Sequence, residues 1–395
     1  MNKVCGLDIH KDTIFLCILS TDGRVYIEEF STLTPDIEAI RELLLREGVK
    51  EVAMESTGIY WIPVWRILED HFEIKLVNPY YIKQIPGRKT DVKDAQWIAT
   101  VLQKGLIKGS YIPSKKIREL REYERRYVKL CGQINRVEQE IENQLSKCNI
   151  RITSFTSQIG STSVMKVVQG IISGETDAAE LERHVHGRIR NRHKDKILAS
   201  LMGSISRPDV LLLKQSYQLY QLLQEQQEEL IREMKIICDS YYKKEISLLS
   251  TIPGVKKLSA MQILAEIGND LSSFITASHL TGWAGLRPRN DESAGKIKSR
   301  KTLYGNRYLR RILVQCAWSA SRTKNCWFRS KFEDLCKRKS KKKALIAIAR
   351  KLLVVIWHMI SKNEVYKEYV PGLNSEQIQK KLAYYRKQID LILAS

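Results

Sequence analysis

Three short runs rich in β-branched and aromatic residues open the chain, KVCGLDI, TIFLCIL and RVYIEEF. HKD separates the first two, and STDG separates the last two, with Asp22-Gly23 reading as a tight hairpin turn. An amphipathic helix follows at about Pro35 to Glu47, then a strand Glu51 to Glu55, a helix around Trp61 to His71 and a strand Ile74 to Asn78. After Pro86-Gly87 a further helix opens near Asp91 and runs to about Gln103. Three antiparallel strands followed by strand-helix alternation is the order of a ribonuclease H-like α/β domain, here residues 1–110.

From about Ile117 the apolar period changes. Tyr127, Leu130, Ile134, Val137 and Ile141 step by three and four, and Gln144 and Cys148 continue the register. Leu213, Ser216, Tyr220, Leu223, Gln227, Leu230, Met234 and Ile237 do the same. Two long helices with an apolar seam predict a coiled-coil connector over 111–245, pairing within the chain or joining protomers. Between them, residues 149–208 are polar, partly basic and weakly periodic, and read as a solvated basic insertion. His184, His186 and His193 lie there without convergent carboxylates or thiols, so a metal site is not expected.

The last part, 246–395, reads as helical. Ile252-Pro253-Gly254-Val255 before an apolar helix is similar to the turn of a helix-hairpin-helix, in which glycine lets backbone N–H groups approach a phosphate. A ligand-free helical turn would look the same. Next come Trp283-Ala284-Gly285-Leu286-Arg287-Pro288, a polar loop from Arg289 to Tyr304, and a helix from about Asn306.

Charge separates these regions. The 395 residues carry a formal +22, yet residues 1–105 hold 13 Lys/Arg against 16 Asp/Glu. Residues 286–350 hold 20 Lys/Arg and four acids, a net +16 in 65 residues. An acidic front that collects cations is joined to a basic back that collects phosphates. The candidate phosphate ligands are Arg287, Arg289, Lys296, Lys298, Arg300, Lys301, Arg307, Arg310 and Arg311, and the run Lys337, Arg338, Lys339, Lys341, Lys342 and Lys343. The eight cysteines form no CxxC pair, which predicts buried thiols in a reducing cytoplasm. Asp8 interrupts any signal-like start, and Arg350 and Lys351 cut the apolar run Ala344 to Ile360, so neither secretion nor a membrane span is expected.

Four acids stand out by position. Gly6 and Asp8 share one face of the first strand, with Leu7 and Ile9 on the other. Glu55 ends the fourth strand, and Asp91 and Asp94, three apart, share a face at the start of a helix. Carboxylates converging from two strands and one helical turn need a counter-charge, and one or two Mg²⁺ ions, with Mn²⁺ as the alternative, supply it through hard oxygen ligands. Such a site can align an attacking oxygen and stabilise a leaving alkoxide.

These residues sit in motifs that carry a resemblance. Gly6-Leu7-Asp8-Ile9-His10-Lys11, Glu55-Ser56-Thr57-Gly58-Ile59-Tyr60-Trp61, Asn78-Pro79, Lys89-Thr90-Asp91-Val92-Lys93-Asp94-Ala95, Ile252-Pro253-Gly254-Val255 and Gly285-Leu286-Arg287-Pro288-Arg289 look like the DEDD transposases of bacterial insertion sequences. The resemblance covers roughly 1–110 and 245–360. It implies a RuvC-like nuclease domain, a coiled-coil connector and a helical transposase domain, with Asp8, Glu55, Asp91 and Asp94 as the metal-binding set. It further implies a C-terminal serine that attacks DNA and becomes covalently attached. The matching stretch, Arg289 to Gly295, gives Ser293, with Ser299, Tyr304 and Tyr308 as neighbouring rivals. Ala294 stands where a second glycine would be unsurprising. The partners implied are double-stranded DNA at element ends and target, a structured noncoding bridge RNA that selects donor and target, and further copies of the chain as a homodimer, or a tetramer on DNA. The expected setting is the bacterial cytoplasm, associated with the nucleoid. A RuvC-like endonuclease that activates water stays open as the rival enzyme, and a nucleic-acid scaffold with a decayed site as the rival of another class.

Overall fold

The computed structural model describes residues 3–56, 58–78, 91–107, 109–289, 291–293, 296–299 and 301–368, with isolated positions between 379 and 390. Of the side chains, those of 91–93, 194, 195, 291–293 and 297 lie outside the description. The Pro86-Gly87 turn, Thr57, Pro79, Lys89, Thr90, Asn290, Ala294, Gly295 and Arg300 fall outside the described residues. The chain divides into two compact units, Met1–Ile112 and Pro113–Ser395.

The first unit is built on β1 (Lys3–Ile9), β2 (Thr13–Ser20), β3 (Val25–Ser31), β4 (Glu51–Glu55) and β5 (Glu73–Val77). They form one sheet in the order β3-β2-β1-β4-β5. The first three strands are antiparallel, while β4 runs parallel to β1 and to β5. This is the ribonuclease H-like order expected from the strand pattern. Between β3 and β4 lies α1 (Thr34–Arg46), between β4 and β5 lies α2 (Trp61–Leu68), and α3 (Asp91–Gln103) follows. The second helix stops short of the predicted His71.

Both faces of the sheet are covered, by different helices. Leu7, Ile9, Leu16, Val52 and Met54 pack with Ile37, Ile40 and Leu44 of α1 and Val64 and Leu68 of α2. On the opposite face Val4, Cys17, Ala53 and Val77 pack against Ala95, Ile98, Ala99 and Leu102 of α3. Gly6 makes this second approach close. A Cβ there would lie 2.3 Å from the carbonyl oxygen of Ala95 and 2.5 Å from the amide nitrogen of Ala99. No side chain fits, so the helix rests directly on the strand that carries Asp8.

The second unit is helical apart from one hairpin. Its spine is α4 (Lys115–Lys147). A 3₁₀ turn (Ile152–Phe155) and α5 (Thr162–Ile172), α6 (Ala178–Arg183) and α7 (Gly187–Leu201) lead to a second long helix, α8 (Arg207–Tyr241). The two long helices pair antiparallel within the chain: Gln144 donates to Asp209 at 2.6 Å and Gln227 to the Cys131 sulfur at 3.1 Å. The predicted seam is thus used internally. Residues 149–208 are not the solvated loop expected from their composition. Val164, Val167, Val168, Ile171, Leu181, Val185, Ile197 and Leu201 are buried and share one core with Ile141, Leu145, Leu213 and Tyr220 of the long helices.

Beyond α9 (Lys243–Ser250), α10 (Lys257–Ile267) and α11 (Ala277–Trp283) comes a two-stranded hairpin, β6 (Asp291–Ser293) and β7 (Lys296–Ser299). The chain then continues through α12 (Arg307–Ala320), α13 (Trp327–Cys336) and α14 (Lys341–Lys362). The Pro253-Gly254 turn has a packing role. Gly254 sits at φ 85°, and a Cβ on it would lie 2.6 Å from the Ala320 amide nitrogen and 2.7 Å from the Cys316 carbonyl oxygen. Close approach to α12 therefore accounts for this glycine without a phosphate. By length and composition α14 could cross a membrane. It buries Ile348, Leu352, Leu353 and Ile356 in the helical core, with Arg350 and Lys351 between them.

Candidate active site

The register of the parallel pair decides which acids meet. Gly6 stands opposite Ala53 and Leu7 opposite Met54, so Asp8 and Glu55 are neighbours at the same end of β1 and β4, on the face covered by α3. Asp8 is only 5% exposed, and its carboxylate lies 3.2 Å from His10 Nε2. Asp94 is half-buried on α3 and immediately precedes Ala95, the residue that touches β1 at Gly6. Asp91 is the first residue of the same helix, and its side chain lies outside the description.

The donor set is hard oxygen, which suits Mg²⁺ or Mn²⁺ and not a zinc site. Asp8 and Glu55 place two carboxylates side by side that could hold such an ion, and Asp91 and Asp94 lie in the first turn of α3. Among the described residues no group of three His, Cys, Asp or Glu could hold a metal. The histidines of the insertion have other partners. His184 Nε2 lies 2.8 Å from Glu175, the His186 Nδ1 accepts from the Arg188 amide at 3.2 Å, and the His193 ring packs 5.2 Å from Phe155.

Ser293 closes β6. The region read as a polar loop is a hairpin, in which Ser293 is paired with Lys296 and Asp291 with Ser299, with a bulge between Asp291 and Glu292. The ladder extends below the strands through the Arg289 amide to Lys301 O at 3.0 Å and the Leu303 amide to Arg287 O at 3.1 Å. Two rival nucleophiles are engaged. Tyr308 lies under the guanidinium groups of Arg125 and Arg307, at 4.8 and 4.9 Å, and its hydroxyl accepts from Arg307 at 2.9 Å. Ser299 Oγ accepts from the Lys301 amide at 3.3 Å. Tyr304 is wholly exposed.

The cations fall in two groups. Arg287, Arg289, Lys296, Lys298, Lys301 and Arg307 are exposed around the hairpin, whereas Arg310 is half-buried and donates to Gly285 O at 3.1 Å. Arg311 is half-buried, and its charge acts on Glu124. Lys337, Arg338 and Lys339 are exposed at the end of α13, and Lys341, Lys342 and Lys343 open α14. Lysines at the positive end of a helix are unfavourable unless an anion is near.

A cluster of charge that sequence reasoning missed lies beneath the hairpin. Glu266 on α10 is 0% exposed. Arg125 grips its carboxylate with two bonds of 2.9 and 3.0 Å, and Arg121 donates to the Ala265 and Glu266 carbonyls at 2.9 and 2.7 Å. Asn306 Nδ2 donates to Glu266 Oε2. Burial opposes the charge on Glu266, but Arg125, Arg121 and Asn306 outweigh it and hold the carboxyl below its usual range. Glu124, 1% exposed, is pushed up to about 8, first by burial and then by the charge of Glu266. The sequence signal was a glutamate beside Ile263, Leu264, Ala265 and Ile267 in a mainly apolar helix.

Comparison with known proteins bears on what these sites do. The IS110-type DEDD transposase model matches residues 5–150, and a model described as the transposase IS116/IS110/IS902 family matches residues 246–333. Together they cover more than half of the chain, in the order of one enzyme. The chain belongs to the IS110 family of transposases.

This transposase is therefore an enzyme of DNA cleavage and rejoining. It is 24% identical over 387 residues to the pilin gene-inverting protein of Moraxella bovis, covering 92% of this chain and 98% of the relative. It is 23% identical over 378 residues to the transposase for insertion sequence element IS1111A of Coxiella burnetii, covering 92% and 91%. Among solved structures, T. thermophilus RuvC in complex with Holliday junction substrate is similar at 16% identity and a TM-score of 0.23, covering 28% of this chain and all of that one. The carboxylates of the transposase fall in the first matched stretch and Ser293 in the second. All but the first two residues of the insertion lie between the two, and Lys337 to Lys343 lie beyond them.

Proposed function

We propose that this transposase excises and inserts its own insertion sequence by DNA strand exchange, with Asp8, Glu55, Asp91 and Asp94 as the metal-binding set and Ser293 as the nucleophile. The observation that carries the metal half is the side-by-side placement of Asp8 and Glu55 on the face under α3. A divalent ion bound there supplies polarisation of the phosphodiester and stabilisation of the leaving oxygen. The carboxylates hold and orient it, and His10 sets the near side of Asp8.

In the serine half, Ser293 Oγ attacks phosphorus and gives up its proton, a phosphoserine ester forms, and the displaced DNA oxygen leaves as a hydroxyl after taking a proton. The reverse attack by another DNA hydroxyl releases the serine, so strands rejoin without an external energy source. Relatives named for gene inversion and for transposition are similar to this chain at nearly equal identity. Strand exchange is the chemistry common to both names. The exposed cations around the hairpin and at the start of α14 support contact with DNA and with a structured guide RNA that selects donor and target.

The test is the covalent intermediate. With duplex DNA from the flanks of the reading frame, wild type is expected to form a denaturant-resistant adduct that peptide mapping places on Ser293. Ser293→Ala is expected to keep DNA binding and lose both adduct and strand exchange, and Ser299→Ala to keep all three. An adduct on Ser299, Tyr304 or Tyr308 would show the assignment to be wrong, and nicking without any adduct would favour water as the nucleophile.

A further inference from the structure

The hairpin that carries Ser293 has no obvious means of holding its own direction. Its strands are three and four residues long and their sequences, DES and KIKS, have no apolar face, whereas an isolated two-stranded hairpin is marginal in water. Its aim must come from its base. There the Asn306 amide donates to Trp283 O at 3.1 Å, and the Asn306 Oδ1 caps α12 by accepting from the Tyr308 and Leu309 amides at 3.0 Å each. The remaining Asn306 group, Nδ2, goes to the buried Glu266, which Arg125 grips from α4. One carboxylate thus ties together the connector helix, α10 and the segment leaving the hairpin.

Stability alone does not explain such a group, because apolar residues of similar volume stabilise an interior as well as a buried ion pair does. What the ion pair adds is a single geometry: a bidentate guanidinium and one amide fix the carboxylate plane. Glu124 beside it has an oxygen, Oε2, with no hydrogen-bond partner among the described residues.

We infer that Glu266, Arg125 and Asn306 are positioning residues for strand transfer, a clamp on the connector helix that aims the hairpin bearing Ser293. The inference rests on the reading of Ser293 as nucleophile. It also gives the clamp a pH response. Glu124 holds a proton up to about 8, so at neutral pH a neutral acid sits beside Glu266. The charges that face it are Glu266 on α10, Arg125 on its own helix and Arg311 on α12, with Tyr127 one turn away. Once Glu124 ionises, a second carboxylate repels Glu266 and competes with it for Arg125, and the clamp loosens.

The test uses the full chain and flank-derived duplex DNA, reading adduct yield, duplex affinity and melting temperature from about pH 6 to about pH 9. Asn306→Ser keeps a capping oxygen for α12 but removes the donor to Glu266. It is expected to stay folded and bind DNA while adduct formation falls at least about ten-fold, as misplacement of a reacting group does. Arg125→Lys, which cannot make the bidentate grip, is the second variant if the first does not fold. In wild type the yield is expected to fall as pH passes about 8, and Glu124→Gln, a neutral isostere, to abolish that fall. A mere contribution to folding would move the melting temperature and leave this limb in place. Wild-type adduct yield in a folded Asn306→Ser or Arg125→Lys, or an alkaline limb that persists in Glu124→Gln, would overturn the clamp. An adduct that survives Ser293→Ala would instead remove the nucleophile on which it rests.

Discussion

At Gly6 one missing methyl group determines how closely β1 and α3, the strand and the helix that carry the proposed metal-binding acids, approach. With α3 lying on bare backbone, the first turn that carries Asp91 and Asp94 stays near the strand that carries Asp8. Asp8 itself is tested by Asp8→Asn, which keeps the shape and changes one oxygen to nitrogen. Metal-dependent DNA cleavage is expected to fall to background while the urea midpoint stays close to wild type, because a ligand is removed and the packing is kept. Near-normal Mg²⁺-dependent cleavage by this variant would refute the carboxylate site. Glu124 makes a second residue-scale prediction, on stability. Its folded pKa is raised from 4.5 to about 8, so the native state holds a proton that the unfolded chain gives up, and its contribution to stability declines as pH rises between those values. Glu124→Gln is therefore expected to match wild type in stability near pH 4 and to exceed it increasingly up to about pH 8, by a few kcal/mol at most (about 1.4 kcal/mol per pH unit). Equal urea midpoints for the two proteins at high pH would contradict this.

Among elements, legibility follows the number of faces each one buries. β4 and α3 read from the sequence with their observed bounds, since a short apolar run between turn residues and an amphipathic stretch are local signals. The insertion helices do not. In α5, Val164, Met165, Val167, Val168 and Ile171 are buried on several sides, which erases the polar face that reveals a helix. The β6–β7 hairpin escapes for the opposite reason: a ribbon whose sequence is mainly polar has no alternation to detect. Asp8 and Glu55 can be nominated from strand position, but their adjacency depends on a parallel register that only a folded sheet defines. The seam of α8 is legible, yet its outer face matters too. Leu211, Leu212, Leu219 and Leu222 remain exposed on a helix whose inner face is already satisfied. If this stripe joins copies of the chain, Leu219→Gln with Leu222→Gln should lower the mass of the nucleic-acid-bound complex in light scattering without changing helicity. An unchanged mass would clear the stripe of any part in assembly.

For the whole molecule the dominant fact is the uneven charge, a mildly acidic first unit and a net +16 between residues 286 and 350. Replacing Lys337, Arg338, Lys339, Lys341, Lys342 and Lys343 by Gln is expected to weaken binding to every duplex sequence alike. It should also flatten the salt dependence of log K by roughly 0.9 for each phosphate that is no longer neutralised. An unaltered slope would mean that these exposed side chains meet only solvent. The shared core of the insertion and the two long helices bears on any attempt to make a smaller enzyme. Cutting out 149–208 would remove the residues with which Ile141, Leu145, Leu213 and Tyr220 share their core. Miniaturisation would thus begin by repainting that stretch of the long helices with polar residues, and a simple excision is expected to give a sticky, poorly recovered protein.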